Sequence, residues 1–244
     1  MAGFGDEKLF WCPSLDTAGN GGTTLNDLSG NGYHGDFQVM TGSAWIADTS
    51  TNGVRCLQVT SASNHRVTNT TFPNMTNGSW TIGFWFLCDT LTNFMSVAGQ
   101  GSSTAGFSQY LTTGGAINAF RGSESVARLR TGTGVITAGA WVFCVMESAG
   151  STGAGGMPVG LIYVNGVLQG PAVAAQRSTV TGTGFQFGRG VNGDSSLGGR
   201  IDDLRIWDCA IGEKRIAQWY SGGRGFTPAA SGKPQLPFTQ QVIG

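Results

Sequence analysis

Carboxylates are where this chain would do chemistry if it did any. Asp202 and Asp203 stand next to each other in Gly199-Arg200-Ile201-Asp202-Asp203-Leu204-Arg205-Ile206-Trp207. Neighbours on a strand face opposite ways, so the two cannot share one reacting bond. The four glutamates are Glu7, Glu124, Glu147 and Glu213, and no two lie two to four residues apart. A carboxylate pair across a glycosidic bond, the usual arrangement for hydrolysis, is therefore not written locally. His34 and His65 have no serine or cysteine motif beside them that would complete a nucleophile arrangement. The five cysteines, Cys12, Cys56, Cys88, Cys144 and Cys209, are scattered and form no CxxC pair, which argues against zinc. They read as buried thiols of a chain folded in a reducing compartment. The expectation is a protein that binds rather than catalyses.

Sugar recognition calls for an aromatic surface with a few polar groups around it. Tyr110, with Arg121, Arg128 and Arg130 nearby in sequence, is the candidate constellation. The alternative is a half-buried strand tyrosine beside a solvated basic face, and the sequence leaves both open. Trp11, Trp80, Trp141 and Trp207 lie in core-like strands and do not add to a platform.

Composition bounds what can position these residues. Gly is high at 41 of 244 residues, Pro is 7, apolar residues are 40% and charged residues 11%, with a formal net charge of zero. Such a chain can bury a core, and its glycines, with many Thr, Ser and Asn, imply turns between many short strands. The absence of a basic field argues against nucleic acid and against an anionic membrane surface. No run reaches the length of a membrane span, and the first residues have neither a basic start nor a long apolar stretch, so cytoplasmic synthesis without a signal peptide is expected.

Several strands are legible. Lys8-Leu9-Phe10-Trp11-Cys12 opens the set and is ended by Pro13. Ser79 to Cys88, apolar on both faces toward its end, and Trp141 to Met146 read as central strands. Runs near 93–99, 106–112 and 115–121 look like a meander. Asn165-Gly166 between apolar runs predicts a type I′ hairpin. Residues 199–207 alternate and read as an interior strand, with Asp202 on the side of Leu204 and Ile206, where a carboxylate needs a partner. Gly212 to Gly223 predicts the one good helix, with Ile216, Trp219 and Tyr220 as its apolar face. Beyond Gly225 three prolines and no period indicate an extended arm, its apolar anchors being Phe226, Pro228, Pro234, Leu236, Pro237, Phe238, Val242 and Ile243.

Four landmarks in fixed order, Asp27-Leu28-Ser29-Gly30-Asn31-Gly32-Tyr33-His34-Gly35, Trp80 to Trp85, Tyr163-Val164-Asn165-Gly166 and Ile201 to Trp207 before a helix, resemble the laminin-G-like branch of the concanavalin A-like lectin/glucanase superfamily. The resemblance covers residues of about 8–222. It implies an all-β fold, a two-sheet antiparallel jelly-roll sandwich with one short C-terminal helix and an extended C-terminal arm, with first and last strands adjacent. The division expected is a domain over 1–225 and an arm over 226–244. The resemblance also allows a calcium ion near the rim, for which Asp27, Asn31, Asp36 and Asp202 offer hard oxygen ligands. Without a metal, Asp202 would instead accept hydrogen bonds from the turn at 29–35. The glutamate-rich catalytic strand of the superfamily's glycosidases has no counterpart here.

Proteins of this kind recur on bacteriophage particles. The functional expectation is accordingly a non-enzymatic interaction module on a virion surface, as capsid decoration, fibre or tail protein. It would stabilise the particle or adhere to host surface glycans, dock on other virion subunits through its arm, and form homo-oligomers. The alternatives are a bacterial carbohydrate-binding lectin-like module and, with least support, a glycoside hydrolase.

Overall fold

A computed structural model describes residues 4, 6–48, 54–75, 79–91, 94–101, 106–122, 128–153, 157–169, 173–174, 184–190 and 195–227. In chain order the strands are β1 (Leu9–Trp11), β2 (Thr24–Leu25), β3 (Gly35–Gln38), β4 (Trp45–Asp48), β5 (Val54–Val59), β6 (Arg66–Asn69), β7 (Trp80–Cys88), β8 (Met95–Gln100) and β9 (Gly106–Leu111). They continue with β10 (Ile117–Gly122), β11 (Arg128–Arg130), β12 (Trp141–Gly153), β13 (Met157–Val164), β14 (Val167–Leu168), β15 (Val173–Ala174), β16 (Phe185–Phe187), β17 (Ser195–Ser196) and β18 (Gly199–Trp207), followed by the helix α1 (Gly212–Gly222).

Two sheets face each other. The first runs β14-β13-β12-β7-β18-β5-β4, with β1 also on β18 and β15 on β13. The second runs β11-β10-β9-β8-β16-β6-β3-β2, with β17 beside β8. Apart from the parallel β8–β17 pair, the ladders are antiparallel, as a jelly-roll sandwich requires. β7 and β12 occupy the centre of the first sheet because they are apolar on both faces: Phe84, Phe86, Cys144 and Met146 enter the inter-sheet core, while Trp85, Phe143 and Val145 point outward. The outward residues are covered by α1, whose Ile216 and Trp219 are fully buried there. Gly83 makes that approach possible, since a Cβ on it would stand 2.6 Å from the Trp219 ring. Each such fully buried large side chain contributes roughly 1.5–3 kcal/mol.

β1 lies against β18, with Leu9 opposite Ile206 and Trp11 opposite Leu204, so the first and last strands are adjacent. The hairpin at Asn165-Gly166 has φ of 50° and 76°, the left-handed pair a type I′ turn needs. The meander is present as β8 to β11. The four thiols Cys12, Cys56, Cys88 and Cys144 are buried, Cys209 is exposed, and all five are unbridged.

One expectation inside β18 is corrected. Asp202 does not point with Leu204 and Ile206. Asp202 pairs with Trp85 and Arg205 with Gly83, so Asp203 and Leu204 together stand opposite the single residue Phe84. This bulge, with Asp203 at φ 52°, shifts the alternation by one. Ile201, Leu204 and Ile206 all enter the core, and Asp202 leaves it.

Among the described residues no helix is long and apolar enough to cross a membrane. Of the arm, Phe226 is described; Pro228, Pro234, Leu236, Pro237, Phe238, Val242 and Ile243 lie outside the described residues.

Candidate functional site

The outer face of the second sheet is polar where β3, β6 and β16 lie side by side. Burial alternates along each strand: Phe37, Val67, Phe185 and Phe187 go inward to the core, while Asp36, Gln38, Arg66, Thr68 and Gln186 go outward. The register sets Gln38 opposite Arg66, Asp36 opposite Thr68, and Gln186 opposite Thr68 on the other side. Gln38, Arg66, Thr68 and Gln186, with Asn69, line an open depression of about 500 Å³. Thr70, Gly101, Gly184 and Phe185 complete the lining. Gly184 (φ 94°) is irreplaceable there, because a Cβ would stand 2.8 Å from the Asn69 carbonyl oxygen.

The depression holds hydrogen-bonding capacity that the fold itself leaves unused. Gln38, Thr68 and Gln186 make no side-chain hydrogen bond among the described residues. Amides and a hydroxyl offer both donors and acceptors at close spacing, which suits a ligand rich in hydroxyl groups. Arg66 donates through Nη1 to the Asn64 carbonyl at 3.1 Å and keeps its other donors. Among the described residues no carboxylate lines the depression.

The carboxylates of β18 have structural work instead. Asp202 is fully buried; its Oδ1 accepts from the backbone N–H of Ser14 at 3.2 Å and of Asp203 at 2.9 Å, and from the Cys12 thiol at 3.7 Å. Its link is thus to the turn after β1, not to the turn at 29–35. Burial, and then the neighbouring charge of Asp203, push its carboxyl up to about 7, against the pull of Arg224. Arg224 Nη1 is 3.6 Å from Asp202 Oδ2, beyond a hydrogen bond. Asp203 accepts from Arg205 Nε at 2.7 Å, from Trp219 Nε1 at 2.9 Å and from the Gly225 N–H at 3.1 Å. Arg205 is fully buried, donates to the Phe226 carbonyl at 2.5 Å, and lies over the Phe10 ring at 4.2 Å. These bonds fasten the segment after α1 to the sandwich, and the Phe226 ring packs edge-on against Phe4.

The turn at 27–33 is held by Asp27. Its Oδ1 accepts from the N–H groups of Phe10 and Ser29, both at 3.0 Å, and its Oδ2 from that of Tyr33 at 3.0 Å. Asn31 donates through Nδ2 to the carbonyls of Glu7 and Lys8. Asp36 is exposed on the outer face of β3. So the four oxygen-bearing residues singled out for calcium have separate surroundings. Among the described residues no group of three or more His, Cys, Asp or Glu could hold a metal ion.

The other candidate residues lie on the adjacent strands β9, β10 and β11, with Tyr110 opposite Asn118 and Asn118 opposite Arg130. Tyr110 is 6% exposed, its ring against Phe94, so it offers no open platform. Arg130 is exposed on β11. Arg121 and Arg128 belong to β10 and β11, and their side chains lie outside the described residues. Gln38, Arg66, Thr68 and Gln186 carried only a faint sequence signal, the polar-out alternation of Arg66-Val67-Thr68 and Phe185-Gln186-Phe187.

Comparison with known proteins adds the family. Residues 60–217 match a laminin G family model described as concanavalin A-like lectin/glucanases superfamily. No curated protein matches the sequence. Among solved structures, domain 4 of AbnA, a GH43 extracellular arabinanase from Geobacillus stearothermophilus in complex with arabinotriose, superposes with TM-score 0.61 at 15% identity, covering 87% of this chain and 97% of that one. The receptor-binding domain of botulinum neurotoxin type G gives TM-score 0.61 at 14% identity, covering 88% of this chain and 51% of that one. The binding domain of botulinum neurotoxin DC in complex with rat synaptotagmin II gives TM-score 0.60 at 13% identity, with 88% and 51% covered. The chain thus spans about half the length of the toxin binding domains and nearly all of the arabinanase domain. At these identities the likeness concerns the fold.

Proposed function

The chain belongs to the concanavalin A-like lectin/glucanase superfamily, and on that premise we propose that it is a non-catalytic glycan-binding module whose site is the depression over β3, β6 and β16. The observation that carries this is the unused hydrogen-bonding row of Gln38, Thr68 and Gln186 at the wall of a 500 Å³ hollow. A solvated polar row has low cost in the free protein and exchanges water for sugar hydroxyls on binding. The absence of any carboxylate from the described lining supports binding without hydrolysis, which needs an acid and a second carboxylate at the scissile bond. A glycan array followed by calorimetry tests this. Wild type should retain at least one oligosaccharide class, and Thr68→Ala with Gln186→Ala should weaken it by on the order of tenfold, about one lost hydrogen bond each. An array without any bound glycan would dismiss the proposal.

The setting we favour is the surface of a bacteriophage particle, with adhesion to host glycans as the task. The fastening of Gly225 and Phe226 to Asp203 and Arg205 supports it, because it gives the arm that follows a fixed point of departure. A chain ending at Thr227 should keep its glycan affinity and lose its place on the particle. Incorporation equal to that of the full chain would remove this setting and leave the glycan site standing.

A further inference from the structure

The depression has a charged end. Gly188 follows β16 at φ 91°, and a Cβ there would stand 3.3 Å from the His65 carbonyl oxygen and 3.5 Å from Arg66 Cα. Only glycine lets the chain pass so near β6, and this brings the backbone that carries Arg189 close to that of Arg66. Burial, and then the like charge of Arg189, hold the Arg66 guanidinium below the usual arginine value. Two partly buried guanidiniums that feel each other's charge repel, and an anion shared by them relieves the repulsion.

The described residues supply none. Elsewhere the buried or half-buried arginines of the described region have carboxylate partners: Arg200 and Arg224 with Asp48, Arg205 with Asp203 and Glu7, Arg215 with Asp6. Arg66 and Arg189 take part in no ion pair among the described residues. Asp36 is on the same outer face, one cross-strand pair further along β3, and is solvated. His65, at the same end, is held below its usual value by burial and so adds no charge near neutral pH. With a formal net charge of zero over the whole chain, this is a local positive site rather than part of a basic surface.

We infer that the depression takes an acidic oligosaccharide, with Arg66 and Arg189 receiving a uronic carboxylate or a sulfate ester while Gln38, Thr68 and Gln186 bond the neighbouring hydroxyls. A planar guanidinium binds both anions through paired N–H groups, and the half-buried setting strengthens those bonds relative to open water. The amides and hydroxyl of Gln38, Thr68 and Gln186 hold the sugar ring; the two arginines select its charge. This rests on the glycan-binding proposal above and adds the substrate class.

Calorimetry on the full chain tests it with three probes of equal length: an oligogalacturonide, a sulfated galactan oligosaccharide and a neutral galactan oligosaccharide. One of the acidic probes should bind on the order of tenfold to a hundredfold more tightly than the neutral one, and which of them does so identifies the anion. Its affinity should fall as salt is raised. Arg66→Gln and Arg189→Gln should each reduce the ratio of acidic to neutral affinity by on the order of tenfold and leave the melting temperature unchanged. Arg66→Lys, which keeps the charge and loses the paired geometry, should fall in between. Equal affinity for acidic and neutral probes, or acidic binding that survives the double glutamine variant, overturns the inference while the glycan site stands. Failure of all three probes overturns it too, and a flat glycan array alongside would take the glycan site with it.

Discussion

Asp202 and Asp203 are neighbours with opposite obligations. Asp203 meets a full set of donors from Arg205, Trp219 and Gly225, so its charge is compensated inside the protein. Asp202 is equally buried, but its Oδ2 has no hydrogen bond and the nearest guanidinium is at 3.6 Å. Its carboxyl is raised from 3.8 to about 7 by burial first and by Asp203 second. The sign follows from linkage. The unfolded chain loses this proton near 3.8, whereas the folded chain keeps it up to about 7. Stability from this group is therefore complete below pH 3.8 and declines as pH rises towards 7, by on the order of a few kcal/mol. Asp202→Asn keeps an acceptor for the Ser14 and Asp203 N–H groups and does not titrate. Urea unfolding at steps between pH 4 and pH 8 should show a loss of stability in wild type that is much smaller in the variant. Identical slopes would mean that Asp202 is ionised in the folded protein throughout.

At the scale of elements, local pattern and long-range register contribute differently. The central strands, the hairpin and the helix were readable because their signals are local: doubly apolar runs, Asn-Gly, and Ile216 three residues before Trp219. The bulge in β18 was not readable. Gly199 to Trp207 alternates convincingly on paper, and only the pairing with β7 and the left-handed Asp203 reveal the shift in phase. The hairpin allows a direct check. Gly166 is at φ 76°, and a Cβ on it would stand 2.7 Å from Tyr220 Cδ1. Gly166→Ala would carry the left-handed penalty and push Tyr220 off its stack on Trp85 and Phe143. A loss of about 1–3 kcal/mol in chemical denaturation is expected. An unchanged midpoint would show that the hairpin and α1 do not support each other.

For the whole molecule, the sandwich was legible from ordered landmarks and the face proposed for binding was not. Tyr110, Arg121, Arg128 and Arg130 are close in sequence and attracted attention for that reason, yet Tyr110 is buried. The residues of the depression come from β3, β6 and β16, which are distant in sequence and adjacent only through the sheet order. A glutamine between two phenylalanines is an ordinary strand pattern until its neighbours across the ladder are known. The same topology separates tasks: the outer face of the first sheet is closed by α1 and the anchored Phe226, and the outer face of the second keeps a polar hollow in solvent. A second hollow, of about 260 Å³ between Tyr33, Phe72, Trp80 and Trp207, is the natural competitor for a sugar ring because its walls are aromatic.

A crystal structure with the best-binding oligosaccharide separates the two most directly. The account predicts sugar density over β6 and β16, with hydroxyls bonded to Thr68 and Gln186 and an anionic group between Arg66 and Arg189. Sugar seated against Tyr33 and Trp80, with the β6–β16 hollow left to water, would contradict it.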